Sequence, residues 1–168
     1  MCINRPTALL CTAIAIAALI APANAEIITI SNLPIEGSQI TTPIPDAGTG
    51  VATVTIDTET LFITIEGSYS NMLGTVLAAH LHGPAAIGVD SPLIITRIDN
   101  TGGTDGTLSL SRSLTQRHID FMLDSLTYIN VHTDAHTDGE IRGQIVVPAP
   151  ATGIAGALAL LLSTRRRR

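Results

Sequence analysis

Residues Gly50–Asp57 read GVATVTID, with Ala52, Val54 and Ile56 alternating against Thr53, Thr55 and Asp57. A period of two in a β-branched stretch describes a strand with one face on a core and the other in water. Seven further runs of this kind lie on either side: Glu26–Ser31 (EIITIS), Thr60–Gly67 (TLFITIEG), Val76–Gly83 (VLAAHLHG), Pro92–Ile98 (PLIITRI), Gly106–Ser111 (GTLSLS), Thr127–Thr133 (TYINVHT) and Glu140–Val147 (EIRGQIVV). Turn-forming stretches separate them, among them Pro45–Gly50 (PDAGTG) and Asp99–Gly106 (DNTGGTDG). One helix interrupts the series. Ser113 and Gln116 form a capping-box pattern, and Leu114, Phe121, Met122 and Leu126 follow at roughly helical spacing. The pattern predicts a mostly β fold, an antiparallel Greek-key-like sandwich or barrel with one short helix.

Composition narrows what such a fold can do. Aromatic residues are 2% of the chain and tryptophan is absent. The core must therefore be aliphatic, and there is no stacking platform for bases or flat sugars. Lysine is absent too. Between residues 26 and 147 four arginines (Arg97, Arg112, Arg117 and Arg142) face all 14 acids, a formal charge of −10. A surface of that sign repels nucleic acid and anionic membrane and favours cations or basic partners.

The two ends read differently from the middle. Residues 1–25 carry Arg5, an apolar run (ALLCTAIAIAALIAP) and an Ala23-Asn24-Ala25 cleavage pattern, the features of a secretory signal peptide. Both cysteines, Cys2 and Cys11, lie within it, so residues 26–147 contain no thiol. Residues 148–168 form a tail: Pro148 and Pro150, a 12-residue apolar run from Ala151 to Leu162, then Arg165, Arg166, Arg167 and Arg168. As a helix the run would span about 18 Å, short for a bilayer core of about 30 Å. The tail resembles the PEP-CTERM class of bacterial sorting signals in a Val-Pro-x-Pro-Ala variant, Val147 to Ala151, without the usual Glu. That resemblance implies an exosortase-type protease as partner. It also implies export to the periplasm, outer surface or matrix, and membrane attachment through the tail before processing. The expected organisation is a signal peptide (1–25), one β domain (26–147) and a sorting tail (148–168).

Chemistry-bearing residues concentrate in two places. Ala79–Ala85 (AHLHGPA) sets His80 and His82 two apart, hence on one side of a strand. Tyr128–Ile145 (YINVHTDAHTDGEIRGQI) likewise puts Tyr128, Asn130 and His132 on one side. Two readings stay open. If the strands share an edge, His80, His82 and His132 can converge on one ion, and three imidazoles with an open position suit Cu or Zn. Otherwise the histidines are hydrogen-bond hubs of a polar network. In that network Glu140, Arg142 and Gln144 share a strand face, and an Arg142–carboxylate pair beside His132 closes the hairpin. Asp138–Gly139 supplies its turn. Asp134, His136 and Asp138 alternate, a pattern of a weak exposed cation site that more often just solvates a turn, and His118 is expected on a solvated helix face. No Gly-x-Ser-x-Gly elbow or phosphate-binding glycine loop occurs, so catalysis ranks below both readings.

These same residues carry a family resemblance. His80-x-His82-Gly83-Pro84-Ala85, then Tyr128-x-Asn130-x-His132-Thr133, then Gly139-Glu140-Ile141-Arg142-Gly143-Gln144 resemble the CHRD domain, in the family's order and across nearly the whole middle of the chain. The resemblance implies a secreted β domain of undefined activity. The expectation is an exported module of non-catalytic binding or structural role at the cell envelope or matrix. The alternative is a histidine-ligated Cu or Zn protein, with a redox role open to it.

Overall fold

The computed structural model describes residues 25–148. All eight predicted runs are strands: β1 (Ile27–Glu36), β2 (Thr49–Asp57), β3 (Phe62–Ser70), β4 (Val76–His82), β5 (Ile94–Asn100), β6 (Gly106–Ser113), β7 (Thr127–Thr133) and β8 (Ile141–Ile145). They close into an antiparallel barrel in the order β1-β2-β3-β6-β5-β4-β7-β8, with Glu36 opposite Arg142 at the seam. The alternatives of sandwich and barrel thus resolve as a barrel. Strands β4, β5 and β6 pair in succession, and β7 returns to lie beside β4, which is a Greek key. That return matters most for function, because it brings His132 to His80 and His82.

Alternation sorts each strand's side chains between the barrel interior and its outside. Ala52, Val54 and Ile56 of β2, Ile63 and Ile65 of β3, Ala79 and Leu81 of β4, and Ile129 and Val131 of β7 all enter one aliphatic core. β1 runs past the predicted Ser31 because a bulge hides its second half. Ile30 faces Val54, but the next paired residue, Leu33, faces Ala52, and Asn32 between them has φ 56°. The extra residue flips the phase, so inward positions pass from Ile28 and Ile30 to Leu33 and Ile35. A run that changes phase midway loses its period-two signal at that point.

The helix, α1 (Gln116–Leu123), lies in the β6–β7 crossover. Its cap differs from the Ser113–Gln116 expectation. Thr115 is the N-cap, its hydroxyl accepting from His118 N at 3.4 Å, while Ser113 is still the last residue of β6. Leu126 lies beyond the helix end, after Ser125 at φ 60°. Ile119 and Met122 are fully buried in the core. Truncating either to alanine would cost about 2–5 kcal/mol.

Candidate functional site

β7 and β8 are covered on both faces. Every residue of β8 and all but His132 in β7 are buried, although every second side chain points away from the core. The outward set is polar and in register: His80 opposite Asn130 opposite Arg142, and His82 opposite Tyr128 opposite Gln144, with Ala78 opposite His132. Two loops close over this outer wall, the β4–β5 loop (residues 83–93) and the β1–β2 loop (residues 37–48). The site is therefore a polar layer between a finished hydrophobic barrel and its loops.

Glu140, Arg142 and Gln144 hold those loops down. Glu140 is fully buried, and its carboxylate accepts from Gly48 N (3.1 Å), Leu73 N (2.7 Å), Gly74 N (3.3 Å) and the Thr133 hydroxyl (2.8 Å). Four donors meet the needs of a buried carboxylate and fasten two loops to the barrel. The Gln144 side-chain amide donates to Ala85 O (3.1 Å) and Ser125 O (2.9 Å), and its backbone N donates to Gln39 Oε1 (3.0 Å). Gln144 Oε1 accepts from Arg142 Nη2 at 2.7 Å. Arg142 also donates to Ala86 O (3.4 Å) and pairs with Asp90 at 3.3 Å. The expected Arg142–carboxylate pair thus exists, but its partner is Asp90 in the β4–β5 loop, 68% exposed, and the pair fastens that loop rather than the hairpin beside His132.

The residues Gly83 and Pro84 turn the chain out of β4. Gly83 N donates to Leu93 O, and Ala85 N donates to Leu126 O at 2.8 Å, which seats the turn against the α1–β7 connection. In the β7–β8 loop Gly139 has φ 126°, and a Cβ there would overlap the Asn130 amide. The predicted Asp138–Gly139 turn is present, closed by Gly139 N to His136 O at 3.1 Å. Asp134 does not join a cation site with His136 and Asp138. Its carboxylate instead accepts from Thr75 N at 2.8 Å, and among the described residues the metal-type grouping consists of His80, His82 and His132 alone. His118 is half-buried on α1, its ring 6.4 Å from that of Phe121. Pro148 is the last described residue; Pro150 and Arg165–Arg168 lie outside.

One ligand-type nitrogen from each of His80, His82 and His132 lies within 4.8 Å of the others. The tautomers of His82 and His132 are readable from their partners. His132 Nδ1 lies 2.8 Å from Thr137 O, and His82 Nδ1 lies 3.1 Å from Ser91 O. A carbonyl oxygen only accepts, so both Nδ1 atoms donate, and each neutral ring keeps a lone pair on Nε2. His132 Nε2 faces His80 Nδ1 at 3.1 Å, with Asn130 Nδ2 at 3.4 Å. His82 Nε2 is buried and has no hydrogen-bond partner among the described residues. Burial, then the neighbouring His132 and His82, pushes the His80 pKa down to about 4, and burial first of all lowers that of His82. These two rings are accordingly neutral at pH 7, the form that ligates.

Tyr128 fixes the buried ring. It stacks on His82 at 5.2 Å between centroids and 9° between planes, and the Arg142 guanidinium lies 3.6 Å from its ring centroid. Its hydroxyl accepts from Ser91 N at 3.0 Å, the residue whose carbonyl orients His82. Ser91, Thr137 and Asp90 had no place in the sequence reading. The first two act mainly through backbone groups, which leave no signature in residue type.

The family model described as CHRD domain matches residues 32–145, which include the whole polar layer. No curated protein and no solved structure matches the chain.

Proposed function

The chain belongs to the CHRD domain family, and from that premise we propose that it is an exported, non-catalytic binding module whose ligand is a copper or zinc ion held by His80, His82 and His132. The single observation that carries the reading is the orphan nitrogen of His82. A purely structural network satisfies His132 and His80 through each other but leaves His82 Nε2 buried without a partner among the described residues, at a cost of about 1–3 kcal/mol. An ion among the three nitrogens removes that cost. The 3.1 Å between His80 Nδ1 and His132 Nε2 also fits, since two nitrogens about 2.0–2.1 Å from one ion at a tetrahedral angle lie roughly 3.3 Å apart. Backbone carbonyls on both Nδ1–H groups supply the outer-shell support that metal-bound histidines use. The structural role belongs to Glu140, Arg142 and Gln144, whose side chains are taken up in fastening loops.

The ends supply the address. Residues 1–25 direct export, residues 26–147 form the working domain, and the tail from 148 serves an exosortase-type protease, leaving the module at the envelope surface or in the matrix with no role for nucleic acid. The test is the metal content of the purified chain by mass spectrometry, before and after offering Cu²⁺ or Zn²⁺, beside a His80→Ala, His82→Ala, His132→Ala variant. Near-stoichiometric metal, lost in the variant, is expected. A folded chain that takes up neither ion would make the histidines structural.

A further inference from the structure

Three nitrogens leave a copper or zinc ion short of its usual four or more ligands, and the surroundings of the trio indicate what completes the shell. His82 is buried, whereas His80 and His132 are half-buried, so the open side of the site faces solvent at the edge shared by those two rings. Arg97 of β5 stands directly opposite His80 in the β4–β5 ladder. Paired residues project to the same face with Cβ atoms about 5 Å apart, so Arg97 is on the outer wall beside this opening. Arg97 is exposed. Among the described residues the ion pair within 4 Å is Arg142–Asp90, so no carboxylate engages Arg97, not even Asp99 two residues further along the same face.

Resting on the metal reading above, we propose that the fourth ligand is a small anion taken from solution, held between the ion and the guanidinium of Arg97. A free guanidinium beside a dication is repulsive by itself. With an anion between them the arrangement becomes attractive on both sides, and guanidinium donors suit a small oxyanion or pseudohalide. The rest of the domain, with its 14 acids, repels anions, so Arg97 marks the place where one is admitted.

The experiment uses the full chain loaded with one equivalent of Cu²⁺ and titrated with azide, followed by the azide-to-copper charge-transfer band and by electron paramagnetic resonance. Arg97→Gln and Arg97→Lys are compared at matched ionic strength, with urea midpoints confirming that both fold. One azide per copper is expected in the native chain. Arg97→Gln should weaken it roughly 5-fold, the order of one solvent-exposed ion pair, while Arg97→Lys retains most of the affinity. Copper stoichiometry should stay at one in both. Copper that binds without responding to azide, or azide affinity unchanged in Arg97→Gln, overturns the anion site alone. A chain that binds no copper overturns the metal reading and this inference with it.

Discussion

Replacing Glu140 by glutamine keeps shape and volume and changes only what the side chain accepts. At present Oε1 takes Gly48 N and Leu73 N, and Oε2 takes Gly74 N and the Thr133 hydroxyl. In the variant one position becomes an NH₂ group. If the amide oxygen stays on Gly48 and Leu73, the Thr133 hydroxyl rotates to accept, but Gly74 N–H is left facing another donor. One buried, unsatisfied N–H costs about 1–3 kcal/mol, and two charge-assisted bonds reduced to neutral ones lose about 1 kcal/mol each. Relief from burying a charge offsets part of this, leaving about 2–4 kcal/mol. Urea unfolding with a slope near 2 kcal/mol/M would then show the midpoint falling by about 1–2 M at unchanged slope. Exposed Glu66 is the control, and Glu66→Gln should leave the midpoint in place. If Glu140→Gln shifts the midpoint by less than about 0.25 M, the carboxylate is not the fastener described here.

Three further outcomes follow from the same layer. Gly139→Ala forces a side chain into a φ of 126° against the Asn130 amide, and should cost at least about 2 kcal/mol by urea unfolding. Tyr128→Phe keeps the stack on His82 but strips the acceptor from Ser91 N–H. It should lose about 1–3 kcal/mol while leaving metal stoichiometry intact. In the metal-free protein His80 titrates near 4 instead of 6.5. Between those values the unfolded chain binds a proton that the folded chain refuses, so stability should fall as pH drops from about 6.5 toward 4 and then level. Urea midpoints across that range measure it. His80→Asn should flatten part of the slope, and an equal slope in the variant would clear His80 of responsibility.

Strand identity was legible because alternation survives in each run, from Ala52-Val54-Ile56 to Ile129-Val131. The helix was legible in type but not at its start, since Ser113 is still held in β6 and Thr115 has the free hydroxyl. Strand order was not legible. The β4–β7 pairing joins residues about fifty apart, and period-two patterning says which side a residue takes but not which strand it meets. Hence the histidines could be placed in pairs along their strands, while their convergence depended on the Greek-key return. The loop fastening was half visible. Glu140, Arg142 and Gln144 share a face, yet neighbours at i and i+2 on a strand lie nearly 7 Å apart, and they reach different stretches of loop: Glu140 takes Gly48, Leu73 and Gly74, whereas Arg142 and Gln144 take the β4–β5 loop. That spacing is why Arg142 pairs with Asp90 and Glu140 collects backbone donors. A period-two reading of β7 and β8 leaves their polar sides in water; loop cover made those sides a second, polar interior.

The central claim is that three imidazoles share one ion. X-ray absorption at the copper or zinc edge of the loaded chain tests it directly. The account predicts three imidazole nitrogens at about 2.0 Å, falling to two in His82→Ala. A shell of oxygen donors, or one that does not change in His82→Ala, would contradict it.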